Sequence, residues 1–207
     1  MAESIDDRVL QKIKKAKRGS LFFTEDFQRF GTAKAVSKAL ERSVAAHELT
    51  RISRGIYSRL EKDPILGELR PATEAIAIAI AKRDKARIVA TGALALNALG
   101  LSTQVPMNLV YLTDGTARKI AIGNRMILFK KTAPKNLSAI GKISSLCIQA
   151  LKEIGKDKAT DKEKEIIIKH LKKEEPSRLA HDIRLAPEWI RQIMSAALSN
   201  TNDEQVA

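Results

Sequence analysis

The chain has 207 residues, 44% of them hydrophobic and 29% charged, a balance that supplies a packed core and excludes the intrinsically disordered class. Its 37 Lys and Arg against 24 Asp and Glu leave a formal charge of +13, a field that favours polyanions: nucleic acid first, an anionic membrane surface second, an acidic partner third. Cys147 is the single cysteine, which excludes an internal disulfide and suits a reducing cytoplasm.

The first residues, MAESIDDR, are polar and acidic and lack the apolar stretch of a signal peptide. Ser4 followed by Asp7 predicts a helix start, and Ile5, Val9, Leu10 and Ile13 recur at helical spacing to about Arg18. After Gly19-Ser20 comes a short apolar stretch, Leu21-Phe22-Phe23. Thr24 is the expected cap of a short second helix that contains Phe27 and ends at Gly31. Thr32 caps a third, from Ala33 to about His47, with Val36, Leu40 and Val44 on its apolar side. The next segment, ELTRISRGIYSRL, predicts a tight hairpin turning at Arg54-Gly55. Residues 61–71, with two prolines and a glycine, predict a linker.

Beyond it, residues 72–200 predict an α+β domain. A helix runs from Thr73 to about Arg83, and a small-residue helix from Thr91 to Leu99. Strands follow at Asn108–Thr113, Arg118–Ile122 and Arg125–Lys131, joined by the hairpin dipeptides Asp114-Gly115 and Gly123-Asn124 into a small antiparallel sheet. Helices are expected at Lys142–Ile154, Asp161–Lys173, Pro176–Arg184 and Pro187–Leu198, with a frayed tail at 201–207. The Lys/Glu alternation around Ile166, Ile167, Ile168 and Leu171 reads as an exposed amphipathic helix laced by ion pairs. No run approaches the length of a membrane span.

The functional reading centres on residues 1–60. Helix, short helix, tight turn, helix and basic hairpin is the order of a winged helix-turn-helix, whose last helix enters a major groove of double-stranded DNA. Lys34, Lys38 and Arg42 stand one turn apart on the outward side of the third helix, with Ser37 at its edge and Glu41 among them. Such groups neutralise phosphates or reach base edges. Arg51, Arg54 and Arg59 would arm the wing, with Gly55 at its tip. A second basic group, Arg118, Lys119, Arg125, Lys130 and Lys131, either extends that footprint, meets an acidic partner, or guards sheet edges.

Three stretches carry a resemblance: AVSKALERSVAAHELTRISRGIYSR, ATGALALNALGLSTQVP and NLVYLTDGTARKIAIGNRMILFKK. Together they resemble the AbiEi-type antitoxin family of bacterial abortive-infection systems, in its shorter branch. The resemblance implies an N-terminal domain that binds inverted repeats in its own promoter and represses the operon. It also implies a C-terminal domain that counters a nucleotidyltransferase-like toxin, with or without a direct complex. It places Lys34, Ser37, Lys38 and Arg42 on the recognition helix and Arg51, Arg54 and Gly55 on the wing. The charged stretch KDKATDKEKEIIIKHLKKEEPSR after residue 150 departs from the longer members.

No enzyme is expected. His47, His170 and His181 share no metal-ligand spacing, and HExxH is absent. Gly141-Lys142-Ile143-Ser144 hints at a phosphate loop, but Asn136 stands where a glycine is needed. Neither cofactor nor metal is expected. Two other readings stay open: a winged-helix transcriptional regulator with no toxin, and a basic protein-interaction module.

Overall fold

The computed structural model describes residues 3–199 and is of mixed α+β class; the tail at 201–207 lies outside the described residues. Two compact units divide the chain between Ile80 and Ala81, and the segment Ile120–Arg125 groups with the first.

In the first unit, helix α1 (Ile5–Lys15) begins with a reciprocal cap. The Ser4 hydroxyl accepts the Asp7 amide at 3.1 Å and the Asp7 carboxylate accepts the Ser4 amide at 3.2 Å. It ends short of Arg18, because Ala16 is already extended. Strand β1 (Leu21–Phe23) leads into the expected short second helix, which is a 3-10 helix, Thr24–Phe30. The Asp26 carboxylate, not Thr24, closes its start by accepting the Phe23 amide at 2.7 Å. Helix α2 (Ala33–Ala45) is capped by Thr32. It stops two residues early, where His47 takes a φ of 56° and the Glu48 amide reaches back to the Ser43 carbonyl at 3.0 Å.

Strands β2 (Thr50–Ser53) and β3 (Ile56–Ser58) form the expected hairpin, and β1 joins them antiparallel in the order β1-β3-β2. Phe22, Phe27, Val36, Leu40, Leu49 and Tyr57 pack with Val9 and Ile13 into one core. The 61–71 stretch is not an open linker: β4 (Glu61–Asp63) and β5 (Gly67–Leu69) pair antiparallel. Its turn is set by the Asp63 carboxylate, which accepts the Ile65 and Leu66 amides at 2.8 Å each and is thereby held below its ordinary pKa. Helix α3 (Thr73–Arg83) follows, with Ile76, Ala77 and Ile80 fully buried.

The second unit carries β6 (Ile88–Ala90), α4 (Ala93–Ala98), and most of a four-stranded sheet completed by β7 (Asn108–Thr113), β8 (Arg118–Ile122) and β9 (Arg125–Lys131). The strand limits are those expected, but the pairing differs. The order is β6-β7-β9-β8, and β7 runs parallel to β9 with Asn108 opposite Met126 and Thr113 opposite Lys131. Antiparallel pairing of β7 is with β6, a strand too short to show alternation. Asp114-Gly115 is therefore no hairpin turn. The Asp114 carboxylate instead accepts from the Arg87 amide and side chain at 2.8 Å each, and the Arg87 side-chain bond holds its pKa down.

A 3-10 turn, Pro134–Leu137, precedes α5 (Lys142–Ile154), α6 (Asp161–Leu171), α7 (Pro176–Leu185) and α8 (Glu188–Ser199). Their core holds Cys147, Leu151, Ile167, Leu171, Leu179, Ile190 and Met194, with Trp189 packed against it. Burial pushes the Cys147 thiol up to about 12. Helix α6 is amphipathic, with Ile167 and Leu171 fully buried. Among the described residues no helix is long and apolar enough to cross a membrane.

One arrangement holds this helical layer together. Helix α5 starts at Gly141, which has no side chain to cap it. Two carboxylates from elsewhere do so. Asp182 on α7, fully buried, accepts the Ile140 amide at 2.9 Å and the Gly141 amide at 2.8 Å. Glu174 accepts the Ile143 and Ser144 amides at 2.7 and 3.2 Å. Negative charge at a helix N-terminus is favourable. A Cβ at position 141 would lie 2.6 Å from the Glu174 carboxylate, so a side chain there would have to displace Glu174 from its cap. Asp182→Ala leaves a buried amide, Gly141, and a part-buried one, Ile140, without acceptors and should cost about 2–3 kcal/mol. Urea unfolding followed by the fluorescence of Trp189, the only tryptophan, checks this; an unchanged midpoint would show that the clamp contributes nothing.

Candidate nucleic-acid interface

Helix α2 is fixed by its buried side, Val36, Ala39, Leu40 and Ser43. The hairpin β2–β3 shares that core through Leu49 and Tyr57, so helix and hairpin are held by the same packed side chains. With one side of α2 committed, Lys34, Lys38, Glu41, Arg42 and Ala45 are exposed and Ser37 is half-buried at the margin. Among the described residues Lys34 and Lys38 have no carboxylate partner. Two free ammonium groups one turn apart can each neutralise a phosphate.

Arg42 is differently placed. Its guanidinium donates to the Asp6 carboxylate of α1 at 2.7 Å, and that bond raises its pKa. Its charge is thus partly balanced within the protein. The pair is surface-exposed, so it is weak and exchangeable.

On the hairpin, Arg51 and Arg54 are exposed and, among the described residues, unpaired. The turn is the two residues Arg54-Gly55, with Ser53 opposite Ile56. Gly55 alone of the pair takes a positive φ, 71°, a conformation that L side chains rarely adopt. Its carbonyl accepts the Thr24 amide at 3.2 Å, which ties the tip to the 3-10 helix. The hairpin is therefore a short, anchored presentation of Arg54 rather than a long free wing.

Arg59, expected on the wing, is not available there. Its Nη1 donates to the carbonyls of Lys14 and Ala16 at 2.9 and 2.6 Å. It closes the C-terminal end of α1, the favourable place for a cation. Other cations of α1 are also engaged: Arg8 donates to the Phe30 carbonyl at 2.7 Å, and Lys12 lies 4.9 Å over the Phe27 ring. Nothing in the spacing of these residues distinguishes an engaged cation from a free one.

The second basic group separates in the same way. Arg118 pairs with Asp84 and lies 5.5 Å over the Phe129 ring, so it belongs to a structural cluster. Lys119 is exposed on β8, an edge strand of its sheet, where a lysine discourages pairing with another chain. Lys130 and Lys131 are exposed on the interior strand β9, and Arg125 is half-buried. Among the described residues no group of three or more His, Cys, Asp and Glu could hold a metal ion. The end of α5 that resembled a phosphate loop is occupied by Glu174 and Asp182, which exclude an anion there.

The two classes of arginine should separate experimentally. Arg59→Ala uncaps α1 and lowers stability by about 1–2 kcal/mol, whereas Arg51→Ala and Arg54→Ala stay within about 0.5 kcal/mol of the parent. Urea titration by circular dichroism measures both; an Arg59→Ala midpoint equal to the parent's would return Arg59 to the surface set.

Comparison with curated proteins gave no match. A family of unknown function, DUF6088, matches the chain over residues 8–179. That span is most of the sequence and takes in both the N-terminal helices and the four-stranded sheet, and the protein belongs to this family.

Proposed function

We propose that the first unit is a winged helix-turn-helix that binds double-stranded DNA, and that the chain is an autorepressor and antitoxin rather than an enzyme. The observation that carries the DNA reading is the free Lys34–Lys38 face of α2, opposite a side locked into the core. The order α1, short 3-10 helix, Gly31-Thr32 turn, α2 and hairpin supports it, since this is the sequence of elements that presents a recognition helix to a major groove. Arg51 and Arg54 supply the second, hairpin-borne contact.

In this reading Lys34 and Lys38 meet phosphates or guanine edges. Ser37 sits at the margin, and Arg42 joins once DNA competes with Asp6 for its guanidinium. The operator would be inverted repeats in the protein's own promoter, and the setting cytoplasmic. The antitoxin half rests on the three stretches at 35–59, 90–106 and 108–131 that resemble AbiEi-type antitoxins. The functional partner would then be a nucleotidyltransferase-like toxin encoded beside it.

Mobility-shift titrations on the promoter fragment test the DNA half. Lys34→Ala with Lys38→Ala should weaken binding by about tenfold or more and reduce the salt slope by about 2. Asp6→Asn, which releases Arg42, should tighten it. Unchanged affinity of the double variant at every salt concentration would remove α2 as the reading helix. Co-expression with the neighbouring gene tests the other half: cells making its product should grow only when this chain is present, and failure of rescue would leave a repressor without antitoxin activity.

A further inference from the structure

The second unit contains a cavity of about 380 Å³ that the DNA reading does not use, a size common for small-molecule sites. It is walled by the 3-10 turn at Lys135, by α5, and by the junction of α7 and α8. Four cations line it, Lys135, Lys152, Arg184 and Arg191, and no lining residue is acidic. Among the described residues Lys135, Lys152 and Arg184 have no ion pair. Arg191 has one, to Glu188 at 3.1 Å, and its Nε is buried without a partner.

A further polar group faces the same space. Gln149 lines the cavity, is only 4% exposed, and among the described residues its carboxamide makes no hydrogen bond. A carboxamide left open at the floor of a cationic cavity is poised to bond a polar ligand group. Beside it Ile148, Leu185 and Pro187 give apolar wall.

We propose that this cavity binds a nucleoside triphosphate or a small molecule of the same size and charge. The cations take the phosphates, Gln149 bonds the sugar or base, and the apolar wall flanks the base. Several unpaired cations around one space repel one another. Partial burial first, and the charge of Lys135 second, lower the pKa of Lys152. A polyanion relieves that repulsion, whereas a single carboxylate would leave most of the cations unmatched. A concave site of this size favours a small molecule over a duplex backbone, which is a convex rod.

Isothermal titration of the full chain at fixed salt with ATP, with tripolyphosphate and with adenosine tests this. ATP and tripolyphosphate should bind saturably at one site, and adenosine should not. Lys152 and Arg184 are exposed, so Lys152→Glu with Arg184→Glu should fold and should weaken ATP by about tenfold or more. Lys135→Glu alone should weaken it less, and serves if the double variant loses its Trp189 unfolding transition. Lys34→Ala with Lys38→Ala should leave ATP binding unchanged. Absence of saturable ATP binding, or equal ATP affinity in the parent and the cavity variants, would overturn the proposal. So would a loss of duplex-DNA affinity in the cavity variants as large as in the α2 variant, which would make the cavity part of a nucleic-acid footprint.

Discussion

Two carboxylates closing the start of a helix that cannot cap itself set the geometry of the second unit. Glu174 and Asp182 reach α5 from outside it and satisfy the amides of Ile140, Gly141, Ile143 and Ser144. Because Asp182 sits on α7, the bonds fix α5 and α7 against each other as well as capping one of them. The side chains that line the basic cavity, Gln149 and Lys152 on α5 and Arg184 on α7, inherit their spacing from that clamp. Charge serves two purposes within a few residues here. One buried and one half-buried carboxylate stabilise the helix start, and cations without an ion pair line the cavity.

The first unit divides its charge by the same logic. Its basic residues are numerous, but many are spent on structure. Arg59 closes α1, Arg8 and Lys12 bind the 3-10 helix and its phenylalanines, and Arg42 is shared with Asp6. Among the described residues of α2 and the hairpin, those that remain free are Lys34, Lys38, Arg51 and Arg54. A surface proposed to read a duplex is thus defined as much by which cations already have partners as by how many there are.

Helices with a strong apolar period and a side-chain cap were legible from the residues alone. Ser4 with Asp7 marks α1, Thr32 marks α2, and Lys142–Ile154 falls where the period places α5. The limits of β7, β8 and β9 were equally plain, because alternation and turn dipeptides are local signals. Pairing was not. Which strand lies beside β7 depends on contacts distant in sequence, and Asp114-Gly115 looks like a hairpin turn until Arg87 is found on its carboxylate. Strands of three residues, such as β1, β4, β5 and β6, are too short to show a period. Partner choice was likewise hidden: Arg59 reads as a wing residue by position, and only the fold brings it to α1. The cavity joins residues from 135 to 191, and no motif spans them.

The parallel pairing of β7 with β9 has a kinetic corollary. Parallel neighbours need a crossover, and here the intervening chain is β8 itself, which turns back into β9 through Gly123-Asn124. On a chain emerging from the ribosome, β7 appears before its partner exists and has only β6 beside it. The neighbours β8 and β9 can close on their turn, and the free side of β9 then meets Leu109 and Tyr111. Until β9 is made, an apolar strand has one edge open, and closing the sheet takes a contact that no single turn supplies.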